Sequence, residues 1–186
     1  MPKVLDIIEL GNPILRKKAR TIVDFKDPKL HELCADMIET LKVAHGVGLA
    51  APQVGADVRL FIVWPGPKDK IETPEDGPLV IINPKFTDIS KKREKDWEGC
   101  LSIPGIRGRV QRHYAIQIDF MNLEGEPMAV EAEDFVARIF QHEYDHLEGI
   151  VFLDRIKDTT EIITEREYIK LMKAEDRKNR ELEKES

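Results

Sequence analysis

The chain has 186 residues, a formal net charge of -6 and two cysteines, Cys34 and Cys100. That length suits a single domain with a real core, the negative charge argues against general affinity for nucleic-acid backbones, and two cysteines are too few for a disulfide scaffold. The opening Met1-Pro2-Lys3-Val4-Leu5-Asp6 is too charged for a secretory signal, and no apolar run approaches the ~20 residues of a membrane span. The expected location is therefore the cytoplasm, with an organelle left open, and no membrane or direct nucleic-acid partner is expected.

The residues through Gly11-Asn12-Pro13-Ile14-Leu15 read as a short, turn-rich arm. A helix follows. Asp27 is a good N-cap and Pro28 suits the first helical position. Leu30, Leu33, Cys34, Met37, Ile38 and Leu41 recur at helical spacing, which makes Cys34 most simply a small buried hydrophobe. The helix should end near Ala44-His45-Gly46, where a histidine reads as a favourable charge at the dipole's negative end.

Gly46-Val47-Gly48-Leu49-Ala50-Ala51-Pro52-Gln53-Val54-Gly55 is dense in small residues, the mark of a backbone that something approaches closely. Gly46, Gly48 and Ala51 fit a loosened dinucleotide loop, but that loop needs a strand before it and a helix after it. Here a helix precedes and Pro52 follows, so the nucleotide reading is set aside. Val58 to Trp64 reads as a strand. Residues 65–78, with four prolines and two glycines, read as a loop within the domain. Leu79 to Phe86 is a further strand and Lys91 to Lys95 a solvated charged turn. Tyr114, Ile116, Ile118 and Phe120 alternate with polar residues as in a half-buried strand, Glu124-Gly125 turns the chain, and Met128, Val130 and Ala132 alternate in the return strand. Near the C-terminus, Thr164 with Glu167 makes a capping box and Ile163 with Tyr168 a hydrophobic staple. Tyr168, Leu171 and Met172 can dock that last helix. From about residue 174 the sequence is almost wholly charged, and this end is expected to fray.

The chemistry concentrates in Gln141-His142-Glu143-Tyr144-Asp145-His146. On a helix His142 and His146 lie one turn apart on one face and can grip one metal ion, with Glu143 beside a water on that ion. Asp134 or Glu133 could start the helix, and Gly149 sits where a left-handed cap is expected. Phe135, Ile139, His142 and His146 share one arc, with Val136, Phe140, Glu143 and Leu147 adjoining. Ala137, Arg138, Gln141, Tyr144, Asp145 and Glu148 take the remainder. An apolar side this wide suits a central, mostly buried helix, where a carboxylate such as Glu143 is costly without a partner. HExxH alone is three fixed residues and leaves ordinary helix surface open. Upstream, Glu98-Gly99-Cys100-Leu101-Ser102-Ile103-Pro104 offers a thiolate, a strong ligand for zinc or iron(II). Cys100, His142 and His146 would make a three-ligand catalytic set with one open position. A buried free cysteine is the plainer alternative.

Taken together, these islands resemble the peptide deformylase family, whose members show GφGφAAxQ, EGCLS and QHExDH motifs in that order. Residues 46–53, 98–102 and 141–146 match them fully, and Gly-Asn-Pro-Ile-Leu-Arg at 11–16 also looks like the family. The resemblance covers roughly residues 4–156. EGCLS and the short polar C-terminal helix are similar to its type 1 branch.

The resemblance implies an α+β fold, with mixed or antiparallel sheets packed around the central metal-binding helix and a helix near each terminus. It implies removal of the formyl group from N-formylmethionyl nascent polypeptides, with a transient ribosome contact compatible with that task. Cys100, His142 and His146 match the metal ligands. Fe(II) is the metal expected in vivo, and Zn, Ni or Co would also suit the ligands. Glu143 matches the general base and acid, and Gln53 and the Leu101 backbone N–H match the donors to the developing oxyanion. Val47, Gly48 and Gly99 match positions where substrate docks, Arg107 an arginine on the downstream peptide, and Ile139, with Phe135, the methionine pocket. A zinc endopeptidase would instead take its third ligand downstream, where Ile150 to Lys157 offers only Asp154. A structural metal module would close the site with a fourth protein ligand.

Overall fold

The computed structural model describes residues 1–64 and 77–185, so residues 65–76 of the loop expected over 65–78 lie outside the described residues. The elements are α1 (Pro28–Val43), β1 (Gly48–Ala50), β2 (Leu60–Val63), β3 (Leu79–Ile89), β4 (Arg93–Cys100), β5 (Ile103–His113), β6 (Ala115–Met121), β7 (Pro127–Glu133), α2 (Asp134–Leu147), β8 (Ile162–Thr164) and α3 (Glu165–Glu185). One antiparallel sheet has the order β1-β2-β3-β6-β7 and a second the order β4-β5-β8. The fold is α+β. No helix among the described residues is long and apolar enough to cross a membrane.

The larger sheet lies between two helices, and β2 shows why. Its residues Leu60-Phe61-Ile62-Val63 are all buried. Successive side chains of a strand face opposite ways. Leu60 and Ile62 join Leu30, Cys34, Met37 and Leu41 of α1, while Phe61 and Val63 join Val136, Ile139 and Phe140 of α2. Phe61 and Phe140 meet edge-to-face at 5.9 Å. A strand covered on both faces reads as an unbroken apolar run. The Asp27 carboxylate accepts from Lys29 N–H at the start of α1, as the sequence suggests. The helix ends at Val43, and His45, two residues on with a φ of 52°, starts the turn into the glycine-rich segment. That segment is strand β1, paired Gly48 to Val63, followed by a 3-10 turn over Ala51–Val54. It is therefore no phosphate loop.

The N-terminal arm ties three parts together through backbone bonds. Ile8 N–H reaches Gln53 C=O, Leu10 N–H reaches Ser102 C=O and Ala19 N–H reaches Leu147 C=O, each at 2.8 Å.

Several sequence expectations are corrected. Arg93, Glu94 and Lys95 are not a turn but the start of β4, paired with His113, Arg112 and Gln111. Charged side chains are tolerated there because β4 is an edge strand with one side to solvent. Leu171 is exposed, and Tyr168 and Met172 alone of the three named residues are partly covered. Phe135 lies at the exposed first turn of α2, not among its buried residues. Conversely, Arg138, Gln141 and Asp145, which a helical wheel puts outermost, are buried. The last helix is continuous to Glu185, and every side chain described beyond Met172 is exposed.

Candidate active site

The site forms where β4, the β4–β5 turn, β1 and α2 converge. In β4, Glu98 and Cys100 stand two residues apart and so face the same way, towards α2. The register slips between Glu98 and Cys100: Glu98 pairs with Gly108 but Cys100 with Ile103. The extra residues lie on β5, between Ile103 and Gly108, and irregularities of this kind are common beside active sites. Cys100 Sγ lies 3.3 Å from His146 Nε2. The ligand atoms of Cys100, His142 and His146 all lie within 4.8 Å of one another. That is close to the span required when three ligands sit about 2.0–2.3 Å from a common ion.

Two features test whether a divalent ion fits here. The first is His142, whose Nδ1 is engaged with Glu98 Oε2 at 2.9 Å, leaving its other nitrogen to face the thiol. A carboxylate behind a ligand histidine fixes the ring's orientation and tautomer. The second is that Glu143 Oε2, on a residue that lines the cavity, is buried without a hydrogen-bond partner. Such atoms are rare in native interiors and ask for a reason. The donor set of one sulfur and two imidazole nitrogens suits zinc or iron(II). Among the described residues this is the one group of ligand type held this closely, and it has three members, so no fourth protein ligand closes it.

The electrostatics follow from burial. Burial lifts the Glu143 carboxyl to about 7. Burial and the neighbouring His142 hold His146 well below its ordinary range. Burial opposes ionisation of Glu98, yet hydrogen bonds and charge from Arg112 and His142 overcome it and keep the carboxyl strongly acidic. Around Glu98 runs a buried polar network. Arg112 makes a two-pronged bond to Glu98 at 2.9 and 3.0 Å and reaches Asp145 at 2.6 Å. Arg138 reaches Glu98 at 2.9 Å and the carbonyls of Val110 and Glu94. Gln141 exchanges bonds with the backbone of His113. This network is why the supposedly outer face of α2 is buried. It also holds the guanidinium of Arg138 on Glu98 and two backbone carbonyls, although Arg138 still lines the cavity.

The residues singled out by sequence converge. A cavity of about 470 Å³ is lined by Val47, Gly48, Gln53, Gly99, Cys100, Leu101, Arg107, Phe135, Ile139, His142 and Glu143. His146 is fully buried behind it. Gly48 is where the backbone passes Glu143: a Cβ there would lie 2.8 Å from Glu143 Cδ and Cγ. Gln53 is held by its own bonds. Its Oε1 accepts from Ala50 N–H at 2.7 Å, and its Nε2 points to Ser102 Oγ at 3.3 Å and Cys100 Sγ at 3.5 Å. Sequence reasoning gave no role to Glu98, Ser102, Arg112, Asp145 or Glu165. The i, i+2 spacing of Glu98 and Cys100 was the available signal for the first of these.

With this geometry in hand, the relatives can be compared. The sequence profile described as polypeptide deformylase matches residues 4–161. Peptide deformylase 2 of Nostoc sp. is 46% identical over 172 residues, covering 92% of this chain and 96% of the relative. The crystal structure of peptide deformylase from Thermotoga maritima has a TM-score of 0.75 at 39% identity, covering 83% of this chain and 99% of that one. A Met-Ala-Ser-bound class I type b peptide deformylase from Acinetobacter baumannii has a TM-score of 0.76 at 34% identity, covering 84% of this chain and 100% of that one.

Proposed function

The chain belongs to the peptide deformylase family, and we propose from that membership and from its site that it is a metal-dependent hydrolase removing the formyl group from N-formylmethionyl nascent peptides. The observation that carries the reading is the close set of Cys100, His142 and His146 beside a cavity that also holds Glu143 and Gln53. The Acinetobacter relative binds Met-Ala-Ser, a peptide that begins with the methionine such a reaction leaves. The third ligand comes from a strand upstream of the helix, unlike the endopeptidase pattern. The reading places the enzyme in the cytoplasm, in transient contact with the ribosome from which its substrates emerge.

Cys100, His142 and His146 would hold one divalent ion, Fe(II) being the working metal on this reading. When bound, the ion supplies a Lewis acid that acidifies water towards a pKa of ~7 and polarises the formyl carbonyl. Glu143 is the general base and acid. A carboxyl lifted by burial to about 7 can take a proton and return one to the leaving amine near neutral pH. Gln53 Nε2 and the Leu101 backbone N–H donate to the oxygen on which negative charge grows. The formyl carbon carries only hydrogen, so it can come close to Glu143, beside which the Gly48 backbone passes. Ile139, buried at the cavity wall, receives the methionine side chain. Val47, Gly48 and Gly99 take the peptide backbone, and Arg107 the downstream residues.

The test is a pair of peptides, one formylated and its unformylated twin, given to the anaerobically purified protein and to Glu143→Gln. The wild type should release formate from the first and cleave neither at an internal bond. Glu143→Gln should keep its metal, since no ligand changes, and lose turnover by about two to four orders of magnitude. Internal cleavage of the unformylated twin would overturn the reading.

A further inference from the structure

The pairing of Arg107 with Ile163 brings the start of α3 over the open side of the cavity. There Glu165 takes two nitrogens of the Arg107 guanidinium, Nε at 2.5 Å and Nη2 at 3.1 Å. Tyr168, one turn on, lies under the same guanidinium, its ring centroid 5.1 Å from Arg107 Cζ. Trp97 closes on Tyr168 edge-to-face at 5.8 Å. The guanidinium lies with its face on Gly99 at the cavity wall: a Cβ there would lie 2.7 Å from Arg107 Cζ and Nη1 and 2.8 Å from Nε. Glu165 thus holds the Nε and Nη2 edge of a planar fork in the two bonds a carboxylate matches, and Nη1 of this cavity-lining residue lies outside that pair.

We propose that Glu165 is a specificity-determining residue: it cancels the charge of Arg107 and fixes the guanidinium, so the downstream subsite reads peptide backbone rather than peptide charge. This rests on the deformylase reading above. A free arginine at this wall would favour acidic residues near the start of the substrate and disfavour basic ones. A paired arginine offers a neutral, oriented N–H to a carbonyl that every peptide has. An enzyme that meets many different N-termini gains from that indifference.

The experiment compares formyl-Met-Ala-Glu amide with formyl-Met-Ala-Gln amide, which differ in charge and little in size, and adds formyl-Met-Ala-Lys amide. In the wild type the kcat/KM ratio of the Glu to the Gln peptide should stay within about twofold, as expected of a neutralised half-exposed pair. In Glu165→Gln it should rise about three- to fivefold at low ionic strength, and return towards one in about 1 M salt, where exposed charges are screened. In Arg107→Met, with Glu165 left uncovered, the Lys peptide should overtake the Gln peptide. A wild type that already prefers the Glu peptide, or ratios that move in neither variant, would overturn the proposal. A merely structural role for Glu165 would lower stability and slow all three peptides alike. If no formyl peptide is deformylated, it is the functional reading that fails; if all are cleaved and the ratios do not move, the charge-cancelling role fails alone.

Discussion

Glu98 Oε2 lies 2.9 Å from His142 Nδ1, and the same carboxylate carries both Arg112 and Arg138. One buried side chain therefore orients a candidate metal ligand and balances two buried cations. Glu98→Gln should weaken metal binding about 10- to 100-fold, the usual effect of losing such support. It should also cost about 3–5 kcal/mol of stability, because buried guanidinium groups lose their counter-charge. Chelator competition measures the first and urea unfolding the second. Unchanged metal affinity would mean that His142 is held by packing alone.

Gly48→Ala tests the approach of β1 to Glu143, the proposed base. The added carbon would meet Glu143 Cγ and Cδ at 2.8 Å. Both β1 and the neighbouring β2 are buried, so the backbone has little freedom to retreat. The carboxylate must move instead, and a misplacement of about 1 Å can cost ~100-fold in rate. Metal content should not change, since no ligand is touched. A variant with normal kcat would show that Glu143 need not sit where the structure puts it.

Gln53 separates structure from catalysis. Its Oε1 holds Ala50 N–H while its Nε2 faces Cys100 and Ser102. Gln53→Leu should lower kcat by about two to three orders of magnitude, and also cost ~1–3 kcal/mol for the stranded N–H. Gln53→Glu keeps the acceptor and loses the donor. It should lose kcat similarly while keeping the bond to Ala50 N–H, so that its stability cost is that of a buried carboxylate beside Cys100 and not of a stranded N–H. An effect confined to KM in both variants would make Gln53 a binding residue only.

The contrast between these residues explains what the sequence discloses and what it hides. Helix α1 was legible because Asp27, Pro28 and the spacing of Leu30, Cys34, Met37 and Leu41 are local signals. The candidate ligand set was legible because few residue types bind metal and two of the three lie one helical turn apart, and the fold brings all three within 4.8 Å of one another. Strand β5, Ile103 to His113, was not foreseen. Pro104, Gly105 and Gly108 interrupt it, and Arg107, Arg109 and Arg112 break its apolar alternation. It is a strand because β4 and β8 pair with it on either side, which is tertiary information. Burial of Arg138 and Asp145 was hidden for the same reason. Periodicity sees apolar faces only, and their partners Glu98 and Arg112 come from distant strands.

The two thiols should behave oppositely, and the structure says why. Cys34 is buried among the leucines of α1 and β2, and burial pushes its thiol from 9.0 up to about 12. The native state therefore holds this proton where an unfolded chain would release it. Stability from Cys34 is complete below pH 9 and is lost as pH rises towards 12. Relative to Cys34→Ala, the wild type should lose advantage only above pH 9, as read by denaturant unfolding across pH. Cys100 instead lies in the cavity wall beside the histidines. If the working ion is iron(II), a thiolate and a redox-active metal share one open site, and air should oxidise either or both. Nickel does not cycle so readily and should sustain the reaction in air. Cys34→Ala should leave the decay of the iron form unchanged, whereas Cys100→Ser should remove most activity with either metal, since a neutral hydroxyl is a poor ligand. The measurement is a time course of deformylation in air for iron and nickel forms of the wild type and both variants. An iron form as durable as the nickel form would remove the argument for iron, and protection of the iron form by Cys34→Ala would mean that the buried thiol is the one oxygen reaches.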